Sequence, residues 1–284
     1  MSDAKQLHAD QIAYWNGPGA DHWVSQQAHT DRQLSPITEA VLAAAAATPG
    51  ERVLDIGCGC GTTTLLLGDA VGSGGQVTGL DVSEPMLACA RQRGAGRKKV
   101  DWVLADAARH PLEPASFDLL LSRFGVMFFG EPTVAFAHLR RALRPGGRLV
   151  FVCWRAFEEN SWMRVPLQAA YAHVPRLPRP GPEDPGPFSF ADPDRLRRVL
   201  TGAGWSAPSV TPLDVELDIA AGGGLEQAVE QACQIGPAGR ALREAPEEAR
   251  SVAVAAIREA LAPYLSGATV KLPAAAWLVA STAA

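Results

Sequence analysis

Gly57, Gly59 and Gly61 stand at alternate positions directly after a short apolar run, Val53-Leu54-Asp55-Ile56, and that run carries an acid. Glycines in such a turn let the chain reverse sharply and let a ligand lie against bare backbone, while a helix starting there presents unpaired N–H groups. A site for phosphate alone has no use for a carboxylate at Asp55; a ligand with a cationic amine or sulfonium does. Asp81 lies 26 residues further on, at the end of a second apolar run. A carboxylate there can accept hydrogen bonds from both hydroxyls of a ribose. Asp106 follows a third run and can accept from an exocyclic adenine amine, with Val82 and Met86 packing on the faces of the base. The rival is a nicotinamide dinucleotide site, which wants GxGxxG. Asp81 suits either ligand; Asp55, the GxGxG spacing and Thr62 favour the first.

The elements that must position these residues alternate. Strands are expected at 52–56, 76–80, 100–104, 117–122 and 148–154, with helices at 62–71, 84–93 and 132–143. This pattern implies an α/β fold: a doubly wound, mostly parallel sheet with helices on both faces. Such sheets bind ligands at the carboxyl ends of their strands, where Asp55, Asp81, Asp106 and Ser122 all fall. Upstream, a polar segment rich in aromatics (Tyr14, Trp15, Trp23) is split by Gly17-Pro18-Gly19 into two short helices. Ser35 then reads as an N-cap with Pro36 at the first helical position, opening a helix that runs to Thr48. From about 156 the pattern weakens, and Pro175 to Pro187 reads as a proline-rich loop. A helix from Pro193 to Gly202, a strand over 208–217, a helical insert at about 222–262 (helices 225–235 and 238–262) and a strand over 274–281 complete the chain.

Val53 to Gly61, Gly79-Leu80-Asp81-Val82-Ser83, Asp106-Ala107 and Arg144-Pro145-Gly146-Gly147 together resemble the class I S-adenosylmethionine-dependent methyltransferases. The small-molecule branch, which includes quinone-biosynthesis C-methyltransferases, looks nearest. The resemblance covers residues 50–154 firmly and the rest loosely. It implies a seven-stranded sheet whose last strand runs antiparallel, with S-adenosyl-L-methionine as cofactor. Asp55, Gly57 and Gly59 would hold the methionine part, Asp81 the ribose, Val82 and Met86 the adenine faces, and Asp106 and Ala107 the adenine ring. Ser122 and Arg123 would close the pocket near the transferred methyl. Cys60 departs from the small hydroxyl or alanine usual between the glycines, and it is compact enough to fit. Related small-molecule methyltransferases often carry an N-terminal helix over the site, which suggests residues 1–35 as an N-terminal helical lid with Trp15 over the cofactor; the chain's own pattern gives residues 36–154 as the cofactor-binding core and residues 155–284 as further strands with a helical substrate cap at about 222–262.

Methyl transfer asks little of the protein. A sulfonium methyl is already electrophilic, so the enzyme aligns a nucleophile in line with the S–CH3 bond and excludes water. A general base is required only where the nucleophile starts protonated. The acceptor atom (O, N, C or S) and any catalytic residue therefore stay unassigned, with His22, His29, His110, His138 and His173 as possible bases. Phe124 to Phe129, just past the fourth strand, is either core or an apolar wall. Phe124, Met127 and Trp162 are the candidate contacts for an aromatic, quinone-like or lipid-like acceptor. Two other functions stay open: a nicotinamide-dependent oxidoreductase, and a methyltransferase-like fold that binds a ligand without chemistry.

Composition bounds the rest. The formal net charge is −4, from 26 basic and 30 acidic residues, which argues against a nucleic-acid partner. Arg97-Lys98-Lys99 and the Arg195, Arg197, Arg198 cluster read as solvated surface. Five cysteines without a CxxC argue against a disulfide framework or a zinc site. Met1 to Gln11 has no apolar signal segment, and no run approaches the ~20 apolar residues that span a bilayer. The expectation is a cytoplasmic protein without membrane insertion, acting on a small molecule, of unassigned oligomeric state.

Overall fold

The computed structural model describes residues 2–178, 181 and 183–283; Arg179, Pro180 and Pro182 of the expected proline-rich loop lie outside the described residues. Four helices come first: α1 (Ser2–Trp15), α2 (Pro18–Ser25), α3 (Gln27–Gln33) and α4 (Ser35–Ala45). The repeating unit follows as β1 (Arg52–Ile56), α5 (Thr62–Val71), β2 (Gln76–Asp81), α6 (Glu84–Arg93), β3 (Val100–Leu104), β4 (Phe117–Arg123), α7 (Pro132–Ala142) and β5 (Leu143–Trp154). Beyond it lie α8 (Ser161–Ala170), α9 (Pro193–Gly202), β6 (Ser206–Asp218), α10 (Gly224–Gln234), α11 (Gly236–Arg243), α12 (Glu247–Leu261), the short β7 (Leu265–Ser266) and β8 (Thr269–Thr282).

The sheet order is β3-β2-β1-β4-β5-β8-β6, with β7 paired to β8 outside that path. β1 to β5 run parallel, and β8 lies antiparallel between β5 and β6. The order moves one way through α5 and α6 and the other way through α7. Right-handed crossovers in opposite directions put these helices on opposite faces of the sheet, which makes it doubly wound. The reversal lies between β1 and β4, next to the glycine turn. The central strands are apolar on both faces, as parallel strands under two helical layers must be: Val53, Leu54, Leu119, Leu120 and Leu121 are all fully buried. A second apolar core joins α8, α10, α11 and α12 to the far end of β8 through Leu167, Val229, Leu242, Ile257, Leu261 and Leu272. This is the helical cap, and it rests on the sheet extension rather than on the central strands.

Several boundaries differ from expectation for identifiable reasons. Ser35 does not cap α4: Leu34 holds the cap position, with its N–H bonded to Thr30 O at 2.9 Å, so α3 runs almost directly into α4. Leu34 is buried in the main core, and that packing outweighs the local capping preference of serine. The helix stops at Ala45 rather than Thr48, because Ala46 turns left-handed at φ 44°. The N-terminal segment makes three helices, not two. The helix expected over 238–262 is broken at Pro246, which cannot supply the N–H that helix continuation needs. α8 has no counterpart among the expected elements: Met163, Pro166, Leu167 and Ala170 form its buried face, but the proline among them disguises the helical period.

Candidate active site

A single cavity of about 1360 Å³ runs along the carboxyl edge of the parallel strands. Small-molecule pockets commonly span roughly 300–1,000 Å³, so this one has room for a cofactor and a second ligand. One end is walled by the glycine turn (Gly57, Cys58, Gly59, Cys60), Asp81, Val82, Met86, Asp106 and Ala107. The other end is apolar and aromatic, lined by Phe124, Met127, Trp154, Phe157, Trp162, Leu167, Tyr171 and Phe188. Trp15 and Trp23 of the N-terminal helices line it too, and Trp15 meets Phe128 edge-on at 5.2 Å between ring centroids.

The turn is held open by close backbone contact. Gly57 has φ +66°, and a Cβ there would sit 2.7 Å from Gly125 Cα. Only glycine at both positions lets the loops after β1 and β4 touch. Ser83, the N-cap of α6, accepts from Met86 N at 3.4 Å, which places Met86 in the cavity wall beside Gly59. Asp81 accepts from Gly59 N at 2.8 Å through one oxygen and from Ser83 N at 2.9 Å through the other. Burial pushes its carboxyl above the usual range, opposed by these backbone donors. Asp106 accepts from Ala108 N at 2.9 Å, and Arg109 lies 3.7 Å away. Backbone pressed against the floor, an acid at the end of β2 and a thioether beside it fit an adenosine-bearing cofactor of the kind the resemblance implies.

Twelve expected contacts thus reach the cavity: Trp15, Gly57, Gly59, Asp81, Val82, Met86, Asp106, Ala107, Arg123, Phe124, Met127 and Trp162. Two do not. Asp55 is fully buried behind the turn, where one oxygen accepts from Thr63 and Thr64 hydroxyls, each at 2.6 Å, and the other has no partner. Burial raises its carboxyl to about 6 despite those two donors. The acid ties β1 to the start of α5 and stiffens the turn from below. Ser122 is also fully buried; it donates to Ile56 O at 2.8 Å and accepts from Gly125 N at 3.1 Å, so it joins β4 to β1 instead of closing the pocket.

Arg123 does line the cavity, and it is held by the N-terminal helices. It donates to Thr38 Oγ1 at 2.7 Å and lies 3.7 Å from Asp31, which also pairs with Arg93 at 3.0 Å and accepts from Thr62 Oγ1 at 2.6 Å. Burial lowers the Arg123 pKa, while Asp31 and Asp55 act to raise it. Asp31 was not legible as a site residue, because its partners come from α5, α6 and β4. Phe124, at φ +69°, stacks on Trp154 with centroids 4.1 Å apart, and Trp154 in turn meets Trp162 at 5.3 Å. No histidine lines the cavity among the described residues. His29 Nε2 is engaged with Ile219 O at 2.9 Å and His138 Nε2 with His110 O at 2.7 Å. No helix among the described residues is long and apolar enough to cross a membrane.

Comparison with known proteins agrees with this geometry. Residues 54–151 match the family described as "Methyltransferase domain". An uncharacterised 37.1 kDa protein of a Streptomyces fradiae transposon is 33% identical over 196 residues, which is 69% of this chain and 55% of that protein. A demethylmenaquinone methyltransferase of Staphylococcus aureus is 41% identical over 101 residues, 36% of this chain and 42% of that enzyme. The chain thus spans about half the length of the curated relatives it matches. The crystal structure of the YcgJ protein of Bacillus subtilis superimposes with a TM-score of 0.55 at 18% identity, over 86% of this chain and 97% of that one, which establishes the shared fold. Residues 54–151 are thus a methyltransferase domain, the part of the chain in which the sequence resemblance to class I S-adenosylmethionine-dependent methyltransferases is strongest.

Proposed function

We propose that the protein transfers a methyl group from S-adenosylmethionine to a small, largely apolar acceptor. The observation that carries this is the continuity of one cavity, with polar backbone and acids at one end and a wall of aromatic side chains at the other. Gly57 and Gly59 would cradle the methionine part, Asp81 the ribose, and Val82, Met86, Asp106 and Ala107 the adenine. The bound cofactor supplies an electrophilic methyl on a sulfonium. Phe124, stacked on Trp154, presents a flat apolar face on which an aromatic, quinone-like or lipid-like acceptor can be oriented. Trp15 and Trp23 cover the opening and exclude water, the role proposed for residues 1–35 as a lid, and the cap seals the acceptor end. The 41% identity of the central segment to a demethylmenaquinone methyltransferase favours a ring acceptor without specifying one.

Deprotonation, where the acceptor needs it, has no histidine to perform it; Glu158 and Asp192 are the cavity carboxylates nearest in sequence to the aromatic wall. An acceptor that is already ionised, such as a phenolate or thiolate, or a neutral amine, needs no base. The test is incubation of the full chain with deuteriomethyl cofactor and a metabolite extract, followed by untargeted mass spectrometry. A mass-tagged product is expected. Binding of NADH in place of S-adenosylhomocysteine would instead support the oxidoreductase, and cofactor binding with no product the non-catalytic module.

A further inference from the structure

We propose that a side chamber of about 20 Å³ at the acceptor end of the cavity binds one hydroxyl group of the acceptor, held between the indole N–H of Trp162 and the side-chain oxygen of Gln231. The assignment of the hydroxyl to an acceptor rests on the methyltransferase reading above. The chamber is walled by Gln33, Trp162, Met163, Ile219, Gln231 and Pro237 among others, and it shares Gln33, Trp162, Met163, Gln231 and Pro237 with the large cavity. Its walls come from α3, α8, α10 and α11, so it exists only where the N-terminal helices and the cap are both docked.

Two of the residues that wall it each carry a polar atom without a partner among the described residues. Trp162 Nε1 is enclosed and donates to nothing, and Gln231 Oε1 is enclosed and accepts from nothing. Gln231 is 3% exposed. Its Nε2 donates to Gln33 Oε1 at 3.2 Å and to Thr30 Oγ1 at 3.4 Å, leaving Oε1 at the other end of the amide. Buried polar atoms are almost always satisfied, so a donor and an acceptor orphaned in the same small space point to a third group between them. The space holds one oxygen and little more, since a single water needs roughly 10–15 Å³ on the same measure.

The pairing selects the chemistry. Indole N–H only donates and an amide oxygen only accepts, so the group between them must both accept and donate. A hydroxyl does both through one heavy atom. A carbonyl would set its lone pairs against Gln231 Oε1, an ammonium would set its hydrogens against Trp162 Nε1–H, and a methyl would satisfy neither. The lobe therefore fits an acceptor with an apolar, ring-like body and a hydroxyl lodged in the chamber.

The test is equilibrium dialysis of the full chain, with and without S-adenosylhomocysteine, against 2-naphthol and its near-isostere 2-methylnaphthalene. The expected result is tighter binding of 2-naphthol by at least ~10-fold, because the isostere leaves two buried polar atoms unpaired. Trp162→Phe and Gln231→Met should each reduce that preference to about 3-fold or less, on the scale of one lost hydrogen bond, without changing S-adenosylhomocysteine affinity. Equal binding of the two ligands, no binding of either, or a preference that survives in both variants overturns the proposal, and the chamber then houses a fixed water. Failure to bind S-adenosylhomocysteine would sink the methyltransferase reading alone, since the hydroxyl preference is read without it.

Discussion

The backbone N–H of Gly59 donates to the Asp81 carboxylate at 2.8 Å, so the glycine turn after β1 and the end of β2 form one hydrogen-bonded unit. The acid proposed to hold the ribose also holds the loop proposed to cradle the methionine part. Asp81→Ala should weaken S-adenosylhomocysteine binding by about 1.5–3 kcal/mol, the scale of hydrogen bonds to a charged group. Calorimetry on the folded variant reads this directly, and unchanged affinity would remove the ribose assignment.

Asp55 makes stability depend on pH in an unusual direction. Its carboxyl titrates at about 6 in the folded chain, above the ordinary value of 3.8. The folded state therefore binds the proton more tightly than the unfolded one, and the stability this contributes is present below pH 3.8 and lost as pH rises through 6. Asp55→Asn lacks that dependence. Between about pH 4 and pH 7 the difference in unfolding free energy should move in favour of the variant by roughly 2–3 kcal/mol. Urea unfolding at the two pH values measures it, and a constant difference would show that Asp55 does not titrate in this range.

Gly57 and Gly146 both have positive φ, at 66° and 77°, but only Gly57 has backbone where a Cβ would go. Gly146→Ala should cost about 1 kcal/mol, the left-handed penalty alone. Gly57→Ala adds a collision with Gly125 and should cost about 2–4 kcal/mol, together with most cofactor affinity. Denaturant midpoints of the two variants compare them, and equal costs would mean that the two loops are free to separate.

Asp31 is one point at which the N-terminal helices grip the core, through Arg93, Arg123 and Thr62; Asn16, bonded to Val82 O and Glu84 N, is another. Asp31→Ala leaves the largely buried Arg123 without its carboxylate and should destabilise the fold by about 1–3 kcal/mol. It should also speed protease cleavage within residues 15–35 while leaving the sheet protected. Unaltered cleavage there would show that Trp15 and Trp23 are held without Asp31, by packing and by the Asn16 bonds to Val82 and Glu84.

The strand-and-helix alternation from Arg52 to Trp154 was readable along the chain, because each unit is a local pattern: an apolar run, a polar or glycine break, a helical period. α5, α6 and α9 begin and end where capping residues, prolines and glycines predict. Asp81, Met86 and Asp106 were legible for the same reason, since a strand end and the following turn place them. Asp55 and Ser122 show the limit of that logic. Each sits at or near a strand end like the others, yet each points into the packed interior, a choice made by α5 and by the loop after β4 rather than by neighbours in sequence.

What the sequence alone determined is the cofactor end of the molecule, whose groups come from consecutive strand ends and the turns between them. At the aromatic end the sequence named Phe124, Met127 and Trp162, but the tertiary structure alone decided what encloses them. The insertion of β8 between β5 and β6, the docking of α8 under the cap, the meeting of Gln231 with Gln33 and the grip of Asp31 on Arg123 all join residues far apart in the chain. Such contacts leave no local period or spacing, because their stabilisation comes from burying side chains against partners that only the folded chain brings within reach.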